Sequence, residues 1–208
     1  MRLVILGGPG AGKGTQARKL CRQLAISEIS TSDILRRAIA SQSELGREAQ
    51  LYVEKGELVP DPLLIEFMRN RLLQDDAKGK GWLLEGYPRT AFQAEELDFL
   101  LDDLGQGLDW AIYLEVPESV MMSRCLERSR YAIEEHSRTL TGNPKVNTSV
   151  KNSRPDDQPE IVQRRLNLFY ERTIPILEYY GYRKRLLTIK GDQSPEQVEQ
   201  EILQKLQI

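Results

Sequence analysis

The sequence predicts an α/β fold with one parallel five-stranded sheet and helices on both of its faces. The first observation is that five short apolar runs alternate along the 208 residues with segments of helical periodicity. The second is that glycine-rich or polar turns directly follow three of these runs, where parallel strands present ligand-binding loops. The chain is slightly longer than a typical single domain, so we expect one core with inserted subdomains.

The first 15 residues predict a strand, a glycine-rich turn and a helix. Leu3–Leu6 form an unbroken apolar run, as in a strand that is buried on both faces. Glycines in the turn 7–12 let the backbone bend tightly and approach an anion closely. A helix that starts at Lys13 directs its N–H groups and its positive end to the same place. Together these features predict a phosphate-binding loop.

The glycine-rich turn matches the Walker A motif from Gly7 through Gly12 and Lys13, except at its last position. Gly14 replaces the usual Ser or Thr, and the hydroxyl comes one residue later at Thr15. We therefore expect Mg²⁺ to be held mainly through water, phosphate oxygens and carboxylates elsewhere. A flexible turn that binds nothing is the alternative, which the flanking strand and helix disfavour.

Residues 30–59 predict two short helices and no strand. The alternating segment Ala25–Ser30 predicts the second strand, and Thr31-Ser32-Asp33 after it is a helix-start signal. The second helix covers Glu44–Lys55 and ends at Gly56. This all-helical segment is a candidate inserted subdomain.

Two further strands follow in the middle of the chain. A helix opens at Pro60-Asp61-Pro62 with Asp61 as its cap, and the third strand covers Trp82–Leu84 before the turn Glu85–Thr90. The fourth strand covers Trp110–Val116, and a helix runs from Glu118 to about Arg130.

Helical periodicity fails between Tyr131 and Ser153, where we expect a mobile surface insertion. Pro155 then restarts a long helix that Pro175 should kink. Arg185–Ile189 supply the fifth strand, and Ser194 to Gln197 open the last helix as a capping box.

Charge and composition exclude several classes of protein. The 29 basic and 31 acidic residues nearly balance, which disfavours a nucleic-acid or anionic membrane partner. No apolar stretch approaches a membrane span, and the amino end enters a strand without a leader, so we expect a cytoplasmic protein. We also expect a monomer. Cys21 and Cys125 exclude a disulfide framework and a structural zinc site, and His136 is expected to be exposed rather than to bind metal.

Arginines stand near several predicted strand ends, helix ends and the insertion. Arg89 follows a buried strand, which directs its guanidinium at the same crevice as Lys13. Phosphoryl transfer requires neutralisation of the phosphate charge and in-line positioning, which converging arginines provide. For any one arginine, a solvated helix face is the alternative. The set comprises Arg36, Arg89, Arg124, Arg128, Arg154 and Arg165.

Over nearly its whole length the sequence resembles the adenylate kinase family. The motifs appear in the family's order, namely GGPGAGKGTQA, ISTSD, SELG, KGELVPD, LLEGYPRT followed by Gln93, SRPDDQPEIVQRRL and KGDQSPEQV. The resemblance implies a P-loop NTPase core formed by residues 1–29, 60–128 and 155–208, a nucleoside-monophosphate-binding subdomain at 30–59, and a lid without zinc at 129–154. It also implies reversible, magnesium-dependent phosphoryl transfer from ATP to AMP, which gives two ADP.

The resemblance assigns roles to residues by matching position. The implied catalytic residues are Lys13, Arg89, Arg128, Arg154 and Arg165. The implied ATP-binding residues are Gly10, Ala11, Gly12, Lys13, Gly14, Thr15, Arg124, Arg128 and Gln193. The implied AMP-binding residues are Thr31, Arg36, Glu57, Leu58, Val59, Gly86, Tyr87, Pro88, Arg89, Gln93, Arg154 and Arg165. Asp33 and Glu85 are the expected outer-shell carboxylates that order the waters of Mg²⁺.

Three features depart from the family pattern. Ser32 occupies a usual glycine, Glu85 occupies a usual aspartate, and the lid is neither the four-cysteine type, the longer bacterial type nor the minimal one. The nearest alternative function is a UMP/CMP kinase, against which Thr31 and Gln93 argue. A nucleotide-binding regulatory protein without transfer activity is the second alternative, which the retained arginines disfavour. A nucleic-acid-remodelling ATPase is disfavoured because this sequence shows no basic stripe.

Overall fold

The computed structural model describes the backbone of residues 1–140 and 157–208, and the side chains of residues 1–44, 46–130 and 157–208. Five strands form one sheet in the order β2-β3-β1-β4-β5, and every neighbouring pair is parallel. This confirms the fold class that the sequence predicts. The strands are β1 Arg2–Leu6, β2 Ser27–Ser30, β3 Trp82–Glu85, β4 Trp110–Glu115 and β5 Leu186–Lys190.

Helices alternate with these strands along the described chain. They are α1 Lys13–Leu24, α2 Thr31–Ala40, α3 Glu44–Lys55, α4 Asp61–Leu72, α5 Asp75–Gly79, α6 Ala91–Asp103, α7 Glu118–Leu140, α8 Pro159–Leu168, α9 Pro175–Tyr182 and α10 Pro195–Leu206.

The sheet separates two apolar cores, one on each face. Val4 of the central strand β1 packs in one core, whereas Leu3 and Ile5 pack in the other. Neighbouring side chains of a strand point to opposite faces, so a strand covered on both sides is apolar throughout. The two cores hold β1 rigidly, and β1 ends at the glycine-rich turn.

Helix α7 is longer than the sequence analysis predicts. Its described part extends to Leu140, beyond the end expected near Arg130. Residues 131–140 lack an apolar stripe, but they include neither glycine nor proline, so helix propensity extends the helix without one. Residues 141–156, which complete the predicted insertion, lie outside the described residues.

The helix expected to start at Pro155 begins at Pro159, because Asp157 precedes it in a non-helical conformation and binds an arginine of α7. The interruption predicted at Pro175 takes the form of one π-helical turn, Phe169–Thr173, between α8 and α9. In this turn Ile174 N–H donates to the Phe169 carbonyl five residues earlier. A proline cannot donate to the turn before it, so the regular ladder stops there.

Candidate active site

The carboxyl ends of β1 and β3 and the start of α2, which follows β2, border a cavity of about 840 Å³. The glycine-rich turn lies on one side of this cavity, and the turn after β3 lies on the other. Residues from α2 and from the 56–59 segment add a further wall. The three motifs that the sequence analysis places after strand ends therefore do converge on one space.

The glycine-rich turn is held close to α7, and this explains one of its glycines. Gly10 has a φ of +80°, and a Cβ there would lie 2.3 Å from the Met121 carbonyl oxygen. Gly12, with a φ of +95°, is the N-cap of α1 and has no side chain to cover the helix N-terminus. The first turn of α1 is thus directed at the cavity, and such a helix end attracts anions.

Lys13 lies across this turn. Its Nζ donates to the carbonyl oxygens of Gly7 at 2.8 Å and of Gly8 at 2.9 Å. These bonds hold a positive charge beside the turn, where a phosphate chain would meet both the ammonium and the N-terminus of α1.

Arg89 is a positively charged residue of the opposite wall. Its Nε donates to the Gly86 carbonyl at 2.7 Å, and its Nη2 donates to the Ser32 hydroxyl at 3.3 Å. Thr173 donates from its hydroxyl to the Arg89 carbonyl at 2.9 Å. Ser32, which stands where the family has glycine, therefore adds a contact to this guanidinium.

Gln93 is buried at the start of α6, with 1% of its surface exposed, and still borders the cavity. Its Oε1 accepts the Arg89 backbone N–H at 2.8 Å, and its Nε2 donates to Asp61 Oδ1 at 2.6 Å. Asp61 was predicted to cap α4, and this is wrong. Pro60 is the N-cap, and the Asp61 carboxylate binds Gln93 because α6 lies beside the start of α4.

Arg128 and Arg165 meet at one buried carboxylate. Arg128 donates to both oxygens of Asp157, with Nε to Oδ2 at 2.6 Å, and Arg165 Nη1 lies 3.8 Å from Oδ1. The Asp157 side chain is fully buried, whereas those of Arg128 and Arg165 are 27% and 22% exposed. One buried anion therefore binds Arg128 and lies beside Arg165, and both of these guanidinium groups border the cavity.

Sequence reasoning gave Asp157 no role, although it stands inside the motif SRPDDQPEIVQRRL. A signal was available, because a carboxylate three residues after Arg154 and eight before Arg165 is placed to organise arginines. Arg154 itself lies outside the described residues.

Arg124 and Gln193 also line the cavity. Arg124 Nη1 donates to the Gly191 carbonyl at 3.0 Å, and this bond ties α7 to the loop after β5. Gln193 donates to the Lys190 carbonyl and to Glu201. The remaining predicted residues of the cavity wall are Ala11, Gly14, Thr15, Arg36, Glu57, Leu58, Val59, Gly86 and Pro88.

Thr31 and Tyr87 do not border the cavity. Thr31 is fully buried, and its hydroxyl has no hydrogen-bond partner among the described residues. Tyr87 donates from its hydroxyl to the Gln93 carbonyl at 3.2 Å, and burial raises the pKa of this phenol far above its ordinary value. Tyr87 thus supports the backbone of Gln93 from behind the wall.

Asp33 and Glu85 both border the cavity. Asp33 pairs with Arg36, and Glu85 accepts a hydrogen bond from the Ser30 hydroxyl at 3.0 Å. Burial raises the pKa of the Glu28 carboxyl, and the positive charge of Arg18 partly offsets this rise. The negative charges of Asp33 and Glu85 raise the pKa of Glu28 further. Within the described residues no three His, Cys, Asp or Glu side chains are grouped as metal ligands. The two carboxylates fit the outer shell of a hydrated, oxygen-preferring ion such as Mg²⁺.

A glycine-rich turn at the end of a central parallel strand, facing converging arginines across one cavity, defines a P-loop phosphotransferase. A family model described as adenylate kinase matches residues 5–185. This chain is 61% identical to adenylate kinase 2 of Nostoc sp. over 99% of its own length and 98% of the relative's. It is 48% identical to adenylate kinase 2 of Synechocystis sp., over 99% and 100% of the two chains, and 40% identical to an adenylate kinase of Gloeobacter violaceus, over 99% and 98%. The chain belongs to the adenylate kinase family.

Family membership confirms the resemblance and the class of enzyme, a nucleotide-binding kinase that transfers phosphoryl groups. Throughout the described ranges, no helix combines the length and apolar character that a membrane crossing requires. The subdomain boundaries and the roles of individual residues stay predictions.

Proposed function

We propose that this chain catalyses the reversible transfer of a phosphoryl group from ATP to AMP, which gives two ADP. The observation that supports this best is the shared cavity. The phosphate loop and the Arg89–Gln93 turn border one space of about 840 Å³, which is sized for ligands of this class. An enzyme that only hydrolyses or senses a nucleotide has no need for a second binding wall with its own arginine.

The donor half consists of the phosphate loop and the loops near α7 and β5. Residues 10–15 bind the ATP phosphates through the N-terminus of α1 and the Lys13 ammonium. Arg124 and Arg128 are assigned to the adenine face and the phosphates of ATP, and the backbone carbonyl of Gln193 is assigned to the ATP base.

The acceptor half consists of the wall opposite the phosphate loop. Arg36 and Arg89 bind the AMP phosphate, while residues 57–59 and Gln93 bind the adenine. Thr31 supports this pocket with its buried hydroxyl, and residues 86–88 shape the turn that carries Arg89. A side-chain amide suits adenine, because it both donates and accepts at adjacent atoms.

Catalysis follows from charge and position. An AMP phosphate oxygen is already an anionic nucleophile, so the chain supplies no general base. Arg89, Arg128 and Arg165, together with Arg154 from the predicted lid, neutralise the charge of the transferred group, and Lys13 binds the outer phosphates. We propose that residues 30–59 and 129–154 close over the nucleotides, which excludes water and prevents wasteful hydrolysis.

Magnesium is the proposed cofactor. When bound with ATP, it would supply positive charge that offsets part of the phosphate charge. Asp33 and Glu85 hold it through ordered waters, and Glu85 reaches one methylene further than the family's aspartate. We further propose that the enzyme works as a cytoplasmic monomer on dissolved nucleotides.

The test is a coupled assay of ADP formation over a grid of donors and acceptors. ATP is combined in turn with AMP, CMP and UMP, with and without Mg²⁺. We expect rapid ADP formation only with AMP and Mg²⁺. Preference for CMP or UMP would favour the pyrimidine kinase alternative, and tight nucleotide binding without ADP formation would favour the regulatory protein.

A further inference from the structure

The buried side-chain amide of Gln93 has its two ends fixed by groups of opposite character. Asp61 Oδ1 lies 2.6 Å from Gln93 Nε2, and an ionised carboxylate can only accept. The Arg89 backbone N–H lies 2.8 Å from Gln93 Oε1, and it can only donate. If the amide were turned over, Gln93 Oε1 would face the Asp61 carboxylate oxygen, and the Gln93 amide N–H would face the Arg89 backbone N–H. Both contacts therefore require the same orientation.

Asp61 is placed to act through Gln93 and not on a ligand. It does not border the cavity, whereas Gln93 does. Its second oxygen, Oδ2, lies 3.5 Å from the Thr90 hydroxyl, which in turn accepts the Gln93 backbone N–H at 3.1 Å. The start of α4 thus holds both the N-cap and the side-chain amide of α6 in place.

The fixed amide retains one Nε2 hydrogen and one Oε1 lone pair beyond these contacts. An adenine edge presents an amino donor beside the N1 acceptor. Hypoxanthine has the same ring shape but presents a carbonyl acceptor beside an N1–H donor. An amide in one orientation pairs with only one of these two edges, and the opposite orientation pairs with the other.

We propose that Asp61 is a positioning residue that selects the acceptor base by locking the orientation of the Gln93 amide. The lock favours the 6-amino edge of adenine over the 6-oxo edge of hypoxanthine. This inference rests on the proposed function, because the base concerned is that of the AMP acceptor.

The first variant is Asp61→Asn, which keeps the shape and a hydrogen bond to Gln93. Its amide pairs with either orientation of Gln93, so only the Arg89 N–H still enforces one. We measure kcat and KM with AMP and with IMP as acceptors at saturating ATP. The ratio of kcat/KM for AMP to that for IMP should fall about tenfold, which is the effect expected from the loss of one charge-assisted hydrogen bond. The KM for ATP should stay unchanged.

Two further variants separate positioning from general structural damage. Asp109→Asn removes a carboxylate that accepts the Arg2 backbone N–H at 2.6 Å and does not border the cavity, so it should leave the ratio unchanged. In a Gln93→Ala background, Asp61→Asn should have no additional effect on the ratio, because the amide through which it acts is gone. Thermal unfolding of each variant checks that it folds.

Each outcome is distinct. If the wild-type protein forms no ADP from ATP and AMP, the proposed function fails. If it does, and Asp61→Asn leaves the AMP to IMP ratio unchanged, the positioning role is overturned. It is equally overturned if Asp61→Asn lowers the ratio as strongly in the Gln93→Ala background as in the wild type.

Discussion

The buried carboxylate of Asp157 offers the sharpest test of how the arginines are organised. We predict that Asp157→Asn impairs catalysis as well as folding. The carboxylate is fully buried and receives two donors from Arg128, and Arg165 lies close by. The asparagine side chain places an amide N–H where one of the two Arg128 N–H groups needs an acceptor, so the two-point contact breaks. Arg128 and Arg165 also lose the negative charge between them.

The expected magnitude follows from these contacts. Breaking a buried ion pair from one side costs 3–5 kcal/mol, and the partial exposure of Arg128 lowers this to about 2–3 kcal/mol of unfolding free energy. Loss of the anchor also lets both guanidinium groups move, and misplacement by about 1 Å costs on the order of a hundredfold in rate. Urea unfolding and steady-state kinetics with ATP and AMP measure the two effects separately.

A second arginine–aspartate pair supplies the matched control. Arg71 donates to both oxygens of Asp76, at 2.9 and 2.6 Å, but the Asp76 side chain is 50% exposed and does not border the cavity. Asp76→Asn should cost less than about 1 kcal/mol and leave kcat unchanged. If Asp157→Asn reduced kcat no more than this control, the shared-anchor reasoning would be refuted.

Three further changes test other parts of the molecule. Arg89→Ala should lower kcat by about a hundredfold or more, because it removes a charge contact to the transferred group. Gly10→Ala should lower the urea midpoint and weaken ATP binding, because its Cβ would lie 2.3 Å from the Met121 carbonyl. In native protein at pH 8, iodoacetamide should alkylate Cys21 and Cys125 far more slowly than in denaturant, because burial raises the pKa of both thiols, that of Cys21 to about 12.

Each of these predictions has its own contradicting result. A loss confined to the KM for AMP, with normal kcat, would deny Arg89 its catalytic role. A Gly10→Ala protein as stable as Gly12→Ala would show that the contact with α7 is unimportant, because a Cβ at Gly12 meets nothing within 4 Å. Equal alkylation rates in native and denatured protein would show that the thiols are accessible.

The fold was predictable because its signals are local. The run Leu3–Leu6 is apolar at every position, as burial on both faces requires, and polar or glycine-rich segments follow β1, β2 and β3 directly. Parallel strands bring their carboxyl ends to one edge, so the convergence of these turns on one cavity follows from sequence order alone.

The side-chain partners were not predictable in this way. Asp61 has the sequence context of a helix cap, yet its partner Gln93 lies 32 residues further on. Asp157 lies 29 residues from Arg128, and its role depends on how α7 packs against α8. The sequence analysis expects α7 to stop near Arg130, because the apolar periodicity stops there, but helix propensity carries the backbone helix on to Leu140.

The strand order has a consequence for how members of such a family diverge. Strand β2, which leads into segment 30–59, lies at one edge of the sheet, whereas β4 and β5, which precede Arg124 and Gln193, lie on the other side of the central strand β1. Under the proposed assignment the two nucleotides are recognised by opposite flanks of the same scaffold. Exchange of segment 30–59, together with Asp61 and Gln93, for the corresponding residues of a sister enzyme should therefore redirect the choice of monophosphate while the triphosphate preference is inherited intact.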